Sequence, residues 1–171
     1  SEKIDDVEEA NKIVDDIRIA DIAVGSGHFL VSALNRMLAI KSQLNIFRDV
    51  HGKRIKRMDL ELKVENDEIS ALDDEGEPVE YKPGNPERQR IQEALFHEKR
   101  NIIENCLFGV DLNPNSANIC RLRLWIELLK NAYYTEESGY TRLETLPNID
   151  INIKVGDSLL SNYTVQKRRV I

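Results

Sequence analysis

The sequence predicts an α/β fold: a parallel sheet with helices packed on it. Three observations carry this. Short apolar segments rich in β-branched residues, "IRIADIAV" (17–24), "LFGVDL" (107–112) and "IDINIKVGDSLL" (149–160), read as strands. Longer segments with apolar residues at helical spacing stand between them. Each strand-like segment runs into glycine or aspartate: Gly-Ser-Gly, Asp111 and Gly156-Asp157. Right-handed crossovers would set the three strands side by side, with a ligand edge at their C-terminal ends.

The elements follow in order. Ile4, Val7, Ala10, Ile13 and Val14 recur at helical spacing, so residues 4–16 predict an amphipathic helix. Residues 17–24 predict a buried strand that ends at the glycines, and 28–44 a helix that starts there. Residues 47–57 read as a basic loop. Residues 59–82 are acidic and alternating, and predict two or three short strands with tight turns, in a surface insertion spanning 47–85. Pro86 sits at the first turn of a predicted helix over 86–106. After strand 107–112, Asn113 is a candidate N-cap, Pro114 a first-turn residue, and the helix 113–134 is rich in Ile, Leu and Trp125, read as core. A polar loop to Pro147 leads into the third strand.

Composition narrows the function. The chain has 171 residues, 41% of them hydrophobic, enough for one domain with a real core. A net charge of −6 argues against nucleic-acid binding by bulk electrostatics. Cys106 and Cys120 lack metal or disulfide spacing and read as buried, reduced thiols, which points to the cytoplasm. His51 and His97 have no ligand-type neighbours in sequence, so no metal site is expected. No segment has the length and apolarity of a membrane span. The basic run 48–57 reads either as a solvated loop balanced by the acidic strands after it or as a contact for DNA phosphates.

The strand ends carry the chemistry. Glycines after the first strand let a ligand approach the main chain, and the helix that follows aims free N–H groups at an anion. An acid at the end of the second strand can accept both hydroxyls of a ribose. Asp49 competes for that role on spacing, but Asp111 follows the cleaner strand, and Asn113 can cap the next helix and leave Asp111 free. Asp157 could accept from an adenine amino group or simply close a turn. Together the three ends suggest an adenosine-containing ligand. No lysine follows the glycines, which disfavours a P-loop.

The segments "ADIAVGSGHFLVSAL", "LFGVDLNPNSANICRLRLWIELL" and "LPNIDINIKVGDSLL" resemble the N6-adenine DNA methyltransferases of fused, Type IIG restriction–modification enzymes and related phage-defence methyltransferases. The resemblance implies a three-layer, Rossmann-like fold that binds S-adenosyl-L-methionine. Asp21 and Ala23 would belong to the first motif, with Gly25, Ser26 and Gly27 cradling the methionine portion. His28 and Phe29 would line the same pocket, Asp111 would hold the ribose, Leu112 would lie on the adenine ring, and Asp157 would meet its amino group. Ile22 stands where the family usually has proline. The family's Asn-Pro-Pro-Tyr motif, which presents the flipped target base, is missing; the chain contains no Pro-Pro pair. The resemblance therefore implies a fragment, truncated before the fourth strand, with no catalytic residue of its own. DNA contacts would come from regions outside it, and the uncovered sheet edge would favour self-association. Competing readings are a methyltransferase of the same fold acting on protein or RNA, a nicotinamide dehydrogenase, and a non-catalytic scaffold. The dehydrogenase calls for a third glycine that "GSGHFL" does not supply.

Overall fold

The computed structural model describes residues 6–56, 60–65, 68–73, 75–144 and 151–159. Helix α1 (Val7–Asp15) leads to strand β1 (Ile19–Asp21) and helix α2 (His28–Gln43). A hairpin of β2 (Glu61–Glu65) and β3 (Glu68–Leu72) precedes α3 (Pro86–Asn105), β4 (Leu107–Asp111), α4 (Pro114–Leu129) and β5 (Ile153–Val155). Side-chain caps fix the starts of α1, α3 and α4, at Asn113 as the sequence predicts. The side chains of Asp6, Asn85 and Asn113 accept first-turn N–H groups of α1, α3 and α4. The Asn66-Asp67 turn, Pro147 and the Lys167–Arg169 run lie outside the described residues.

The main sheet is parallel in the order β1-β4-β5, with Asp21 beside Gly109 and Gly109 beside Ile153. Leu107, Gly109 and Ile153 are buried on one face, whereas Phe108 and Val110 are half-buried and Ala20 and Lys154 exposed on the other. Helices α2, α3 and α4 pack against one another and against the sheet. Among the described residues the fold therefore has two layers, not the expected three. The cause is topological. The strands are laid down in one direction, so right-handed crossovers deliver every helix to the same face, and a second layer requires the strand order to reverse. The same geometry corrects β1. The segment itself reads as buried, but its residues are half-buried or exposed; it lies at the edge of the described sheet, the uncovered edge that the resemblance implies.

The predicted surface insertion is also corrected. The β2–β3 hairpin forms, and Val79 N–H extends it by donating to Ala71 O at 2.8 Å. Its inward side chains, Leu60 and Leu62, are buried in the main core, where Ile69, Ala71, Val79 and Tyr81 also pack. Ser42 of α2 accepts the Leu62 N–H at 3.2 Å, tying the hairpin to the helix. The basic loop closes through an antiparallel bridge between Arg48 and Arg54. Buried Asp49 organises it: one oxygen accepts the N–H groups of His51 and Lys53, and the other meets Arg90 Nε at 2.5 Å. Burial alone would raise the Asp49 carboxyl, but Arg90 and those N–H groups outweigh it and hold it below its ordinary value. Asp49 thus has a structural role in this loop.

At the N-terminal end of the sheet, Lys41 of α2 is fully buried between Asp15 of α1 and Glu98 of α3, at 2.6 and 2.5 Å. This triad joins three helices.

Candidate functional site

The sheet brings the three predicted strand ends together. The loop after β1 folds onto β4, with Val24 N–H donating to Val110 O at 3.0 Å. The loop after β5 does the same from the other side, Gly156 N–H donating to Asp111 O at 3.0 Å. Ser158 Oγ then spans the edge to Ile22 O at 3.0 Å. Gly109 permits this convergence: a Cβ there would lie 2.8 Å from Ile153 Cδ1 and 2.9 Å from Val24 Cγ2.

Asp111 links the ends chemically. Its Oδ2 accepts the Gly25 N–H and its Oδ1 the Asn113 N–H, both at 2.8 Å. It is therefore not left free, as the sequence suggested, although each carboxylate oxygen has capacity for a second donor. Asn113 caps α4 as expected, through Asn115 N–H at 2.9 Å. Asp21 Oδ1 accepts the Ala23 N–H at 3.1 Å, which shapes the start of the turn.

The glycines adopt conformations that side chains resist. Gly25 has φ +52° and faces open space, with nothing nearer to its missing Cβ than Ala23 O at 4.0 Å. Gly27 has φ +83° and presses on α4; a Cβ would meet Cys120 Sγ at 2.6 Å. Gly27 is also the N-cap of α2 and has no side chain to satisfy the first turn, which contains no acidic residue. Ser26 is half-buried beside it.

Apolar side chains stand exposed around this edge. Phe29 is 57% and Leu112 71% exposed. His28 is exposed, and Arg123 Nη1 lies 2.7 Å from its Nδ1. Asp157 is exposed, and its Oδ1 accepts the Leu159 N–H at 2.9 Å. The turn-closing role foreseen for Asp157 is thus present, at the same edge as Asp111. Sequence reasoning missed Ser158, Cys120 and Arg123. Ser158 follows Asp157 directly in the chain, while nothing local marks the other two.

A cavity of about 590 Å³ opens elsewhere, lined in part by Lys12, Asp15, Arg48, Asp49, His97 and Glu98. It lies toward the N-terminal ends of the strands, and most of its polar groups are already engaged. Asp15 and Glu98 hold Lys41, Asp49 holds Arg90, and His97 Nε2 lies 3.0 Å from Tyr133 Oη. Open parallel sheets bind ligands at the opposite ends, where Gly25 and Asp111 stand.

The model of the MmeI DNA-methyltransferase domain matches residues 1–168. The chain belongs to this family. It is also 34% identical over 148 residues, 86% of its length, to a protein of Methanocaldococcus jannaschii named as a candidate type II restriction enzyme and methyltransferase. That match takes up 9% of the relative's own length. No solved structure matches. Within this methyltransferase domain, the glycine turn, Asp111 and Asp157 form one edge, and no helix among the described residues is long and apolar enough to cross a membrane.

Proposed function

We propose that this methyltransferase domain binds S-adenosyl-L-methionine at the C-terminal edge of its sheet, in a Rossmann-like arrangement. On this reading it serves methylation of adenine N6 in DNA by a Type IIG restriction–modification enzyme. The observation that carries the reading is the Asp111 carboxylate, joined to the glycine turn and bordered by Leu112 and Asp157. An aspartate at this strand end suits a ribose diol, and the exposed leucine after it suits the face of a purine.

The residues present fit the cofactor. Gly25 offers open space where any side chain would project, and the uncapped first turn of α2 presents N–H groups toward an anion such as the methionine carboxylate. When bound, S-adenosyl-L-methionine supplies the electrophilic methyl group. Asp111, whose oxygens already accept the Gly25 and Asn113 N–H groups, would hold the ribose hydroxyls. Gly25, Ser26 and Gly27 let the main chain approach the methionine portion. Phe29 and Leu112 exclude water from the apolar parts of the ligand. Asp157 can accept from the adenine amino group while retaining its bond to Leu159. The domain's task would be to bind and orient the donor. The adenine preference rests on the resemblance of the three motifs to N6-adenine enzymes, and the restriction–modification setting on the archaeal relative.

Calorimetry with S-adenosylhomocysteine, which cannot transfer a methyl group, tests this. One molecule should bind per chain, NAD should not compete, and Asp111→Ala should weaken binding by about tenfold or more. Unchanged affinity in Asp111→Ala, or preference for NAD, would remove Asp111 from the site.

A further inference from the structure

Helix α4 is apolar on both faces. Ala117, Cys120, Leu124 and Leu128 are buried in the core. On the opposite face Ile119, Leu122, Ile126 and Leu129 are 50, 61, 46 and 44% exposed. A surface helix ordinarily carries one apolar stripe, and a helix that is apolar all round is a covered helix. The outer residues recur at intervals of three, four and three, the spacing of a seam that receives another helix.

Charge identifies what fits. At about 100° per residue, Arg121 and Arg123 stand on opposite sides of Leu122, and Lys130 follows on the Arg123 side. The helix has one carboxylate, Glu127, which is buried and held by Lys99 and Lys130. Among the described residues neither arginine meets a carboxylate. Arg121 donates to Asn118 Oδ1 and Ile153 O, and Arg123 lies against His28. Arg123 and Lys130 therefore border the apolar seam on one side, while Asn118 and Trp125 stand between the seam and Arg121 on the other.

We propose that this face is the docking surface for a partner amphipathic helix with apolar residues at the same spacing and carboxylates along the edge that meets Arg123 and Lys130. Helix-on-helix recognition of this kind uses apolar anchors for affinity and flanking charge for partner choice. Antiparallel pairing with a second copy would set the Arg123 and Lys130 edges against each other, which does not suit the face. The inference rests on α4 alone and is independent of the cofactor reading.

Two labelled synthetic helical peptides of about three heptads test it, both with Ile and Leu at the seam positions, one edged with Glu and the other with Lys. Fluorescence anisotropy should show the Glu peptide binding at least about tenfold more tightly than the Lys peptide at low salt, with the preference shrinking as salt rises. Leu122→Gln and Ile126→Gln should each weaken the Glu peptide by about tenfold without lowering the melting temperature, because both side chains are exposed. Arg123→Glu should abolish or reverse the preference. Equal binding of the two peptides, binding of neither, or a preference indifferent to the arginine reversal would overturn the proposal. So would sedimentation showing that the chain pairs with itself through a contact that Leu122→Gln abolishes.

Discussion

Gly27 has two reasons to be glycine, and they can be separated. Its φ of +83° resists any Cβ, and the space a Cβ would need belongs to Cys120 Sγ, 2.6 Å away. Gly27→Ala should destabilise the domain by roughly 1–3 kcal/mol in urea denaturation. Adding Cys120→Ala should relieve the Sγ clash and recover part of the loss, while the backbone part and the contacts with Cα and Cβ of residue 120, each 3.2 Å away, remain. Gly25→Ala meets only the backbone part, since its Cβ would face open space, so it should cost less stability. Equal losses for the two glycines would contradict this division. Lys99 offers a pH test at the same scale. Burial pushes its ammonium down to about 8, with Glu127 O accepting its N–H at 2.9 Å. An unfolded lysine keeps its proton to about pH 10.4. Between these values the unfolded chain binds more protons, so this residue adds stability as pH rises. The stability of the wild type relative to Lys99→Met should therefore increase from about pH 8 to 10 and stay level below that window; parallel curves throughout would refute it. Among residues, Asp111 was legible because its type and place after an apolar run are both local. Its bond to Gly25, 86 positions away, was not, nor was the Arg123–His28 contact across 95.

Elements were legible where their signals are local. Pro86 and the Asn113-Pro114 pair mark two helix starts; Asn113 caps as expected, and Asn85, not singled out in the sequence, caps the other. The hairpin was misjudged as superficial because its acidic residues dominate its composition, while alternation delivers Leu60 and Leu62 inward. Leu62→Ala should cost about 2–5 kcal/mol in denaturant unfolding, as a core leucine does. A loss near zero would return the hairpin to the periphery. The Lys41 triad gave no sequence signal, because its members lie on three helices. Lys41→Met leaves Asp15 and Glu98 facing each other without their shared cation, and burial already raises the Glu98 carboxyl despite Lys41. Breaking such a buried pair should cost about 3–5 kcal/mol, read from the same unfolding curves.

At the scale of the whole molecule, strand order decides most of what matters. Three parallel strands added in one direction place all helices on one face and all C-terminal ends along one edge. That is why the glycine turn, Asp111 and Asp157 meet although they are far apart in the chain. It is also why the expected third layer is not found among the described residues: local patterns announce strands and helices, but not how many faces they cover. The most direct test of the cofactor site is a nitrogen-15 amide NMR titration of the full chain with S-adenosylhomocysteine. The expected result is saturable shifts at Gly25 to Phe29, Asp111, Leu112 and Asp157. Shifts confined to the cavity around Lys12, Arg48 and His97, or no saturable shifts at the strand ends, would contradict it.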